Sequence, residues 1–209
     1  MDAPLRVHTW PQSAGDALAA LHSDAGCVVI SVHTPVTENR ALARESIRMA
    51  LRELLAAYWA RPVESIQFCT HLGQPLTLLS PNCPVGLSVS HAPGCSVAAV
   101  HLHGAVGIDV MRFDAAVDEL NAPLPDWAPL TRDYMDPLTY QLLLNTAPAL
   151  RGSVFAQAWC QLEAGLKCLG VGLTEWTPPL ALARAQCRVI ALDMPSTLCG
   201  ALALRPIKP

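Results

Sequence analysis

Charged residues are scarce in this chain of 209 residues: Asp, Glu, Lys and Arg make up 15% of it, and the only lysines are Lys167 and Lys208. The formal net charge is −3. A nucleic-acid-binding protein normally presents a basic surface to the phosphate backbone, so this composition argues against that class. Hydrophobic residues make up 52%, which excludes a disordered chain. We therefore expect a folded protein with a sizeable core.

No charged residue occurs from Ser65 to Ile108. Four prolines divide this stretch into pieces too short to cross a bilayer: Pro75, Pro81, Pro84 and Pro93. We therefore interpret it as buried strands joined by turns, without membrane association. The first residues, MDAPLR, lack the basic start and apolar run of a signal peptide, which predicts a cytoplasmic protein.

The eight cysteines include no Cys-x-x-Cys pair, and most of them lie in apolar runs. Thiols of a cytoplasmic protein are kept reduced, and in such runs they pack as small hydrophobic side chains. We therefore expect neither a disulfide framework nor a structural zinc site.

The hydrophobic pattern predicts strands and helices in the same order in both halves of the chain. In the first half, residues 27–33 predict a buried strand and residues 37–58 a helix, with Thr37 as its N-cap. Shorter strands are predicted near 65–70, 86–90, 95–102 and 106–110. After an irregular stretch to about 131, helices are predicted near 137–144 and 154–169, and strands at 187–193 and 198–204. This repetition predicts an α/β (α+β) fold with two related lobes.

Four arginines recur every fourth residue along the first long helix: Arg40, Arg44, Arg48 and Arg52. This stripe would bring several guanidinium groups within reach of an extended polyanion. Acidic neighbours such as Glu45 also make it typical of a solvated helix face. The residues alone favour the solvated face.

Three groups of charged or polar residues could carry chemistry. Asp109 ends the uncharged span as a lone carboxylate on an apolar strand, where it requires a cation, a metal or hydrogen-bond donors; a turn or Arg112 could also satisfy it. Glu163 and Lys167 lie four apart on the second long helix, which is typical of a helix salt bridge and also suits a pair that binds a divalent cation and a phosphate. Ser90 and His91 end a predicted strand, where a histidine is more often structural than catalytic.

In order and spacing, four segments resemble the 4′-phosphopantetheinyl transferase superfamily, especially its long, monomeric, two-lobed members of the surfactin-synthetase-activator type. The first is the Arg-rich helix RESIRMALRELLA (44–56) with Gly73-Gln74-Pro75, which resembles the family's Gly-Lys-Pro turn. The second and third, LSVSH (87–91) and GIDV (107–110), resemble Asn-x-Ser-His and Gly-[Ile/Val]-Asp-[Ile/Leu]. The fourth, WCQLEAGLK (159–167), resembles Trp-x-x-Lys-Glu-Ala-x-x-Lys.

The resemblance implies an enzyme that transfers the phosphopantetheine arm of coenzyme A to a serine of an acyl or peptidyl carrier protein, with Mg²⁺ and with release of 3′,5′-ADP. It also implies two pseudo-symmetric lobes, each a small sheet packed on a long helix; we place them at residues 1–104, with the coenzyme A-binding helix and the Ser-His turn, and 105–209, with the magnesium ligands. The implied magnesium ligands are Asp109 and Glu163, with Glu163 also the base and Lys167 on the pyrophosphate. The implied coenzyme A contacts are Arg44, Arg48, Ser90 and His91.

Three positions depart from the family pattern: Gln74 and Leu162 stand where the family has lysines, and Met111 stands where many members have a second acid. Leu162 falls on the apolar stripe of its helix, so we expect it to pack in the core. Some relatives also lack the second acid and complete the metal shell with water, but the replacement of the two lysines by Gln74 and Leu162 favours an alternative, a catalytically impaired relative that binds coenzyme A or a carrier protein as an accessory protein. A further alternative is a two-lobed structural domain in which the charged residues form only surface salt bridges.

Overall fold

Ten strands and six α-helices are found in the residues that the computed structural model describes, which are 3–36, 40–69, 75–113 and 127–206. Thr37, Gly73 and Gln74 lie outside these ranges. The elements of the first half are β1 (Leu5–Arg6), β2 (His8–Thr9), α1 (Ala14–His22), β3 (Cys27–His33), α2 (Arg40–Tyr58), β4 (Gln67–Cys69), β5 (Thr77–Ser80), β6 (Gly86–Ala92) and β7 (Cys95–His101). Those of the second half are β8 (Gly104–Arg112), α3 (Trp127–Tyr134), α4 (Pro137–Asn145), α5 (Pro148–Leu169), α6 (Pro178–Arg184), β9 (Arg188–Asp193) and β10 (Leu198–Pro206). The predicted mixed α/β fold is confirmed.

The two four-stranded sheets share the arrangement of three of their strands, β3-β7-β6 and β8-β10-β9, whereas the short parallel strand is added beside β3 in the first sheet and beside β9 in the second. Their orders are β2-β3-β7-β6 and β1-β9-β10-β8. In the first sheet, β3 precedes the long helix α2 and pairs antiparallel with β7, which pairs with β6. In the second sheet, β8 precedes the long helix α5 and pairs antiparallel with β10, which pairs with β9. The order strand, helix, hairpin is therefore repeated, as the pseudo-symmetry predicts; the boundary at residues 104 and 105 stays a prediction.

The sheets pack face to face, with a long helix on each outer side. In the first sheet, Val28 and Ile30 pack with residues of α1 and α2, whereas Val29 packs against the second sheet. This alternation follows from the two-residue period of a strand. On the other side, Ala201 and Ala203 of β10 pack against α5. The fold thus has four layers: helices, sheet, sheet and helix.

Strand β8 brings polar residues against helix α5. Its Ile108 and Val110 face the first sheet, so Gly107 and Asp109 face the other side. A Cβ at Gly107 would collide with the backbone of Ala164 and Cys168 in α5. Because Gly107 has no side chain, α5 approaches β8 closely enough for its charged residues to reach Asp109.

Helix α5 buries the side chain that departs from the family pattern. Leu162 is 1% exposed and packs with Phe155, Leu166 and Leu143, so the expectation that it belongs to the core is confirmed. The helix ends at Leu169 and is capped by Gly170, whose φ of 69° lies in the left-handed region that favours glycine. No described helix combines the length and the apolar character needed to cross a bilayer. All eight cysteines are free thiols, as expected.

Candidate active site

Asp109 lies at the centre of a buried polar cluster. Its Oδ1 accepts hydrogen bonds from Lys167 Nζ at 2.7 Å and from Ser90 Oγ at 2.8 Å. Lys167 Nζ also donates to the carbonyl oxygen of Ile108 at 3.1 Å. Asp109 is 8% exposed, so it has the cation and the donor that a buried carboxylate requires. The cation is Lys167 and not Arg112, which donates to the carbonyl oxygen of Pro93 at 2.9 Å.

Two serine hydroxyls of β6 join the two sheets at this point. Ser88 Oγ accepts the N–H of Ile108 at 3.1 Å, and Ser90 Oγ accepts the N–H of Val110 at 3.3 Å. Strands β6 and β8 are edge strands of their sheets. The hydroxyls therefore satisfy backbone donors of β8 that no strand satisfies on that side, and they fix the position of Asp109 relative to β6.

Glu163 belongs to the same electrostatic environment. Burial raises the pKa of the Glu163 carboxyl, the positive charge of Lys167 opposes this shift, and the negative charge of Asp109 adds to it. Lys167 lies one helical turn further along α5, but its carboxylate partner is Asp109. The arrangement is thus two carboxylates around one ammonium group, and not the simple helix salt bridge between Glu163 and Lys167.

A cleft of about 290 Å³ opens between β6 and the C-terminal end of α5. Its lining consists of Pro75, Leu76, Leu87, Ser88, Val89, Glu163, Lys167, Gly170, Val171, Gly172 and Leu173. Three of the four segments that carry the family resemblance contribute to this lining. The remaining segment, GIDV (107–110), supplies Asp109, which is bonded to Lys167. Segments far apart in the sequence therefore meet at one cleft.

His91 is held on the other face of β6. Ser88 and Ser90 face β8, so the two-residue period places His91 on the side of the first helical layer. Its Nδ1 lies 2.9 Å from Oγ of Ser96, its neighbour on β7. Ser90 and His91, predicted to act together, thus lie on opposite faces of one strand.

The two arginines predicted to bind coenzyme A differ in their surroundings. Arg44 is exposed, as expected for a solvated helix face. Arg48 is half-buried, and its Nε is buried without a hydrogen-bond partner among the described residues. Because buried donors are normally paired, Arg48 has an unused donor that suits an anionic ligand.

The carboxylates fit a magnesium site that substrate completes. Among the described residues, no group of three or more His, Cys, Asp or Glu side chains is placed to hold a metal ion. Mg²⁺ often takes only one or two carboxylates, with water and substrate phosphates as its other ligands. Asp109 and Glu163 provide that number. Met111, at the position of the family's second acid, packs against the core residues around α5.

Ser88 is a site residue that the sequence reasoning missed. It lies two residues before Ser90 on the same face of β6 and is buried to the same degree. The alternation of Leu87, Ser88, Val89 and Ser90 is the signal that could have found it. Two serines on one face of an apolar strand indicate a shared hydrogen-bonding role.

Residues 105–192 match the family model of the 4′-phosphopantetheinyl transferase superfamily. This region belongs to that superfamily. It contains Asp109, Glu163 and Lys167, and it runs from β8 through α5 to β9. The match supports a phosphopantetheine transferase function in general terms, whereas the surfactin-synthetase-activator subtype stays a prediction. A comparison with curated proteins finds no match.

Proposed function

We propose that this member of the 4′-phosphopantetheinyl transferase superfamily transfers the phosphopantetheine arm of coenzyme A to a serine hydroxyl of an acyl or peptidyl carrier protein. The reaction depends on Mg²⁺ and releases 3′,5′-ADP. The enzyme acts in the cytoplasm as a monomer. One observation carries the proposal: Asp109, Glu163 and Lys167 converge beside a cleft that the resembling segments line together.

Asp109 and Glu163 are the residues that would hold Mg²⁺. When bound, the ion would neutralise the oxygens of the coenzyme A pyrophosphate as charge develops on them. Lys167 lines the cleft and adds a second positive charge for the same oxygens. These groups supply the positioning and charge neutralisation that displacement at phosphorus chiefly requires.

Glu163 is the proposed base for the incoming serine. A general base is most effective when its pKa lies close to the working pH. Burial raises the pKa of Glu163 above that of an ordinary glutamate, which moves it in this direction. Its carboxylate would take the hydroxyl proton of the serine as the oxygen attacks phosphorus.

Three of the remaining predicted residues, Arg44, Arg48 and His91, bind the phosphates of coenzyme A. Arg48 offers the buried Nε that has no partner among the described residues, and Arg44 lies one turn earlier on α2. His91, held by Ser96, contributes its imidazole from β6. We assign these three side chains to substrate binding and not to bond breaking.

The test is the intact mass of several purified carrier proteins after incubation with the full chain, coenzyme A and Mg²⁺, beside a sample with chelator. Transfer adds roughly 340 Da, the mass of the phosphopantetheine arm, only when the metal is present. The absence of this gain on every carrier would contradict the proposed activity.

The second candidate is a catalytically impaired relative that binds coenzyme A or a carrier protein. Leu162 favours it, because the position of a family lysine is occupied here by a core side chain. Isothermal titration with coenzyme A and Mg²⁺ separates the candidates. Binding without transfer supports the impaired relative, and no binding at sub-millimolar concentration supports a purely structural domain.

A further inference from the structure

Ser88 and Ser90 are nearly equivalent in the fold. They lie on one face of β6, are 7% and 6% exposed, and each accepts a backbone N–H of β8. They differ in their contacts with the charged pair: Ser90 Oγ also donates to Asp109 Oδ1 at 2.8 Å and accepts from Lys167 Nζ at 3.5 Å, whereas Ser88 makes neither contact and lines the cleft. The chain therefore contains a residue with the structural role of Ser90 but without its link to Asp109.

The Ser90 hydroxyl has one hydrogen to donate. Because that hydrogen goes to the Asp109 carboxylate, the hydroxyl cannot donate it to a phosphate at the same time. The bond to the carboxylate is a charge-assisted hydrogen bond, and in the structure the short distance of 2.8 Å shows that the hydrogen is used in this way. Ser90 fixes Oδ1 from the side of β6, while Lys167 approaches it from α5.

We infer that Ser90 is a positioning residue for Asp109 and acts in the transfer through this carboxylate, whereas the family resemblance implies a contact with coenzyme A. The inference rests on the proposed function, because the proposed function makes Asp109 a ligand of Mg²⁺. Hydrogen bonds that orient a ligating carboxylate matter for metal binding, and their loss typically weakens it by about 10–100-fold.

The test compares Ser90→Ala with Ser88→Ala in the full chain. The probe is Mn²⁺, whose binding is followed by electron paramagnetic resonance, and coenzyme A binding is titrated separately in chelator. We expect Ser90→Ala to weaken Mn²⁺ binding by about tenfold or more, while its affinity for coenzyme A changes by less than about twofold. Ser88→Ala should keep the Mn²⁺ affinity of the wild type, although each variant loses one hydrogen bond to β8.

Two results would overturn the inference. One is equal Mn²⁺ affinity in both variants and the wild type; the other is a loss of coenzyme A affinity confined to Ser90→Ala. Failure of the wild type to bind Mn²⁺ would remove both the inference and the proposed metal site. If wild-type binding and transfer persist and the variants are equal, only the inference fails. Should Ser90→Ala not fold, Ser90→Cys replaces it, since a thiol has similar shape but is a weak donor.

Discussion

Lys167 Nζ lies 2.7 Å from Asp109 Oδ1, and this contact joins helix α5 to strand β8. The two partners are unequally buried: the side chain of Lys167 is 31% exposed and that of Asp109 only 11%. The ammonium group can therefore turn towards water if it loses its partner, whereas the carboxylate cannot.

This asymmetry predicts unequal costs for removing the two partners. Lys167→Met leaves a buried carboxylate without its cation, and we expect the free energy of unfolding to fall by about 2–4 kcal/mol. Asp109→Asn keeps an oxygen that accepts from Ser90 and frees an ammonium group that water can reach, so we expect a loss of about 1 kcal/mol. Urea unfolding in chelator at pH 7 measures both. Equal losses would contradict the asymmetry.

Glu163→Gln should abolish transfer and leave the fold intact. The amide cannot accept the serine proton and is a poor ligand for Mg²⁺. Because burial disfavours the charged form of Glu163, the neutral amide should unfold at the same temperature as the wild type or a higher one. The intact-mass assay and thermal melting test this, with Gln161→Ala on the exposed side of α5 as the matched control. Retained transfer in Glu163→Gln would remove its assignment as base and ligand.

His91→Ala should raise the concentration of coenzyme A needed for half-maximal transfer more than it lowers the rate at saturation. The expectation follows from a binding role, because lost ground-state contacts raise KM. Steady-state kinetics over a range of coenzyme A concentrations separates the two parameters. His103→Ala, at an exposed position beyond β7, is the control. A defect in turnover alone would argue against a binding role for His91.

Gly107→Ala should damage both stability and transfer. The new Cβ would collide with the backbone of Ala164 and Cys168. Because backbone atoms cannot rotate away as a flexible side chain can, the collision is relieved only when α5 moves away from β8. Overpacking of this kind costs about 1–3 kcal/mol or more. Gly15→Ala in α1, where nothing lies within 4 Å of the added Cβ, serves as the control in thermal melting. Similar melting temperatures for the two variants would refute the close packing of α5.

We expect the protonation of His8 to lower the free energy of unfolding in mild acid. His8 is 7% exposed, and its pKa is lowered by burial first and by the charge of Arg6 second, against an opposing effect of Asp16. The unfolded chain therefore takes up this proton more readily than the folded one, so the contribution of His8 is complete above about pH 6.5 and is lost below it. We expect the fall in unfolding free energy between pH 7.5 and pH 5.5 to be smaller in His8→Asn than in the wild type.

The exposed His33 provides the control for this experiment, since His33→Asn should leave the pH dependence unchanged. Urea titrations at the two pH values measure both variants. An identical fall in His8→Asn and in the wild type would show that His8 titrates alike in both states.

Strong local patterns were the predictable part of the fold. The β-branched run at 27–33 became β3 with the same bounds, and the second long helix ends at Leu169 as predicted. That helix begins at Pro148 and not near 154, because proline is accepted in the first turn of a helix. Helix α3 begins at Trp127, within the stretch predicted to be irregular, because a proline such as Pro129 is compatible with the first turn of a helix. Helices α1 and α6 are short and were also missed.

The candidate site was predictable in its members but not in its pairings. Asp109 needed a partner, and the nearby Arg112 was one alternative. The actual partner, Lys167, comes from a helix far along the sequence. The close packing of α5 on β8 at Gly107 brings Lys167 to Asp109, and the hydrophobic periodicity of the sequence does not predict this packing. The sequence predicted a strand that ends at Ser90. The structure continues β6 through His91 to Ala92, and adjacent residues of a strand point to opposite faces, so Ser90 and His91 lie on opposite sides of the sheet.

The parallel pairing of β1 with β9 places Leu5 opposite Leu192. Every backbone pairing of the first sheet is available once residues 8–101 have been synthesised. The second sheet instead contains both the first and the last described strands, β1 and β10. The pairing of β1 with β9 has a high contact order, and contacts of that kind form slowly. During synthesis on the ribosome, the strands of the first sheet can therefore pair before β9 has been made. The strands of the second sheet remain unpaired for longer, and unpaired strand edges are prone to aggregation.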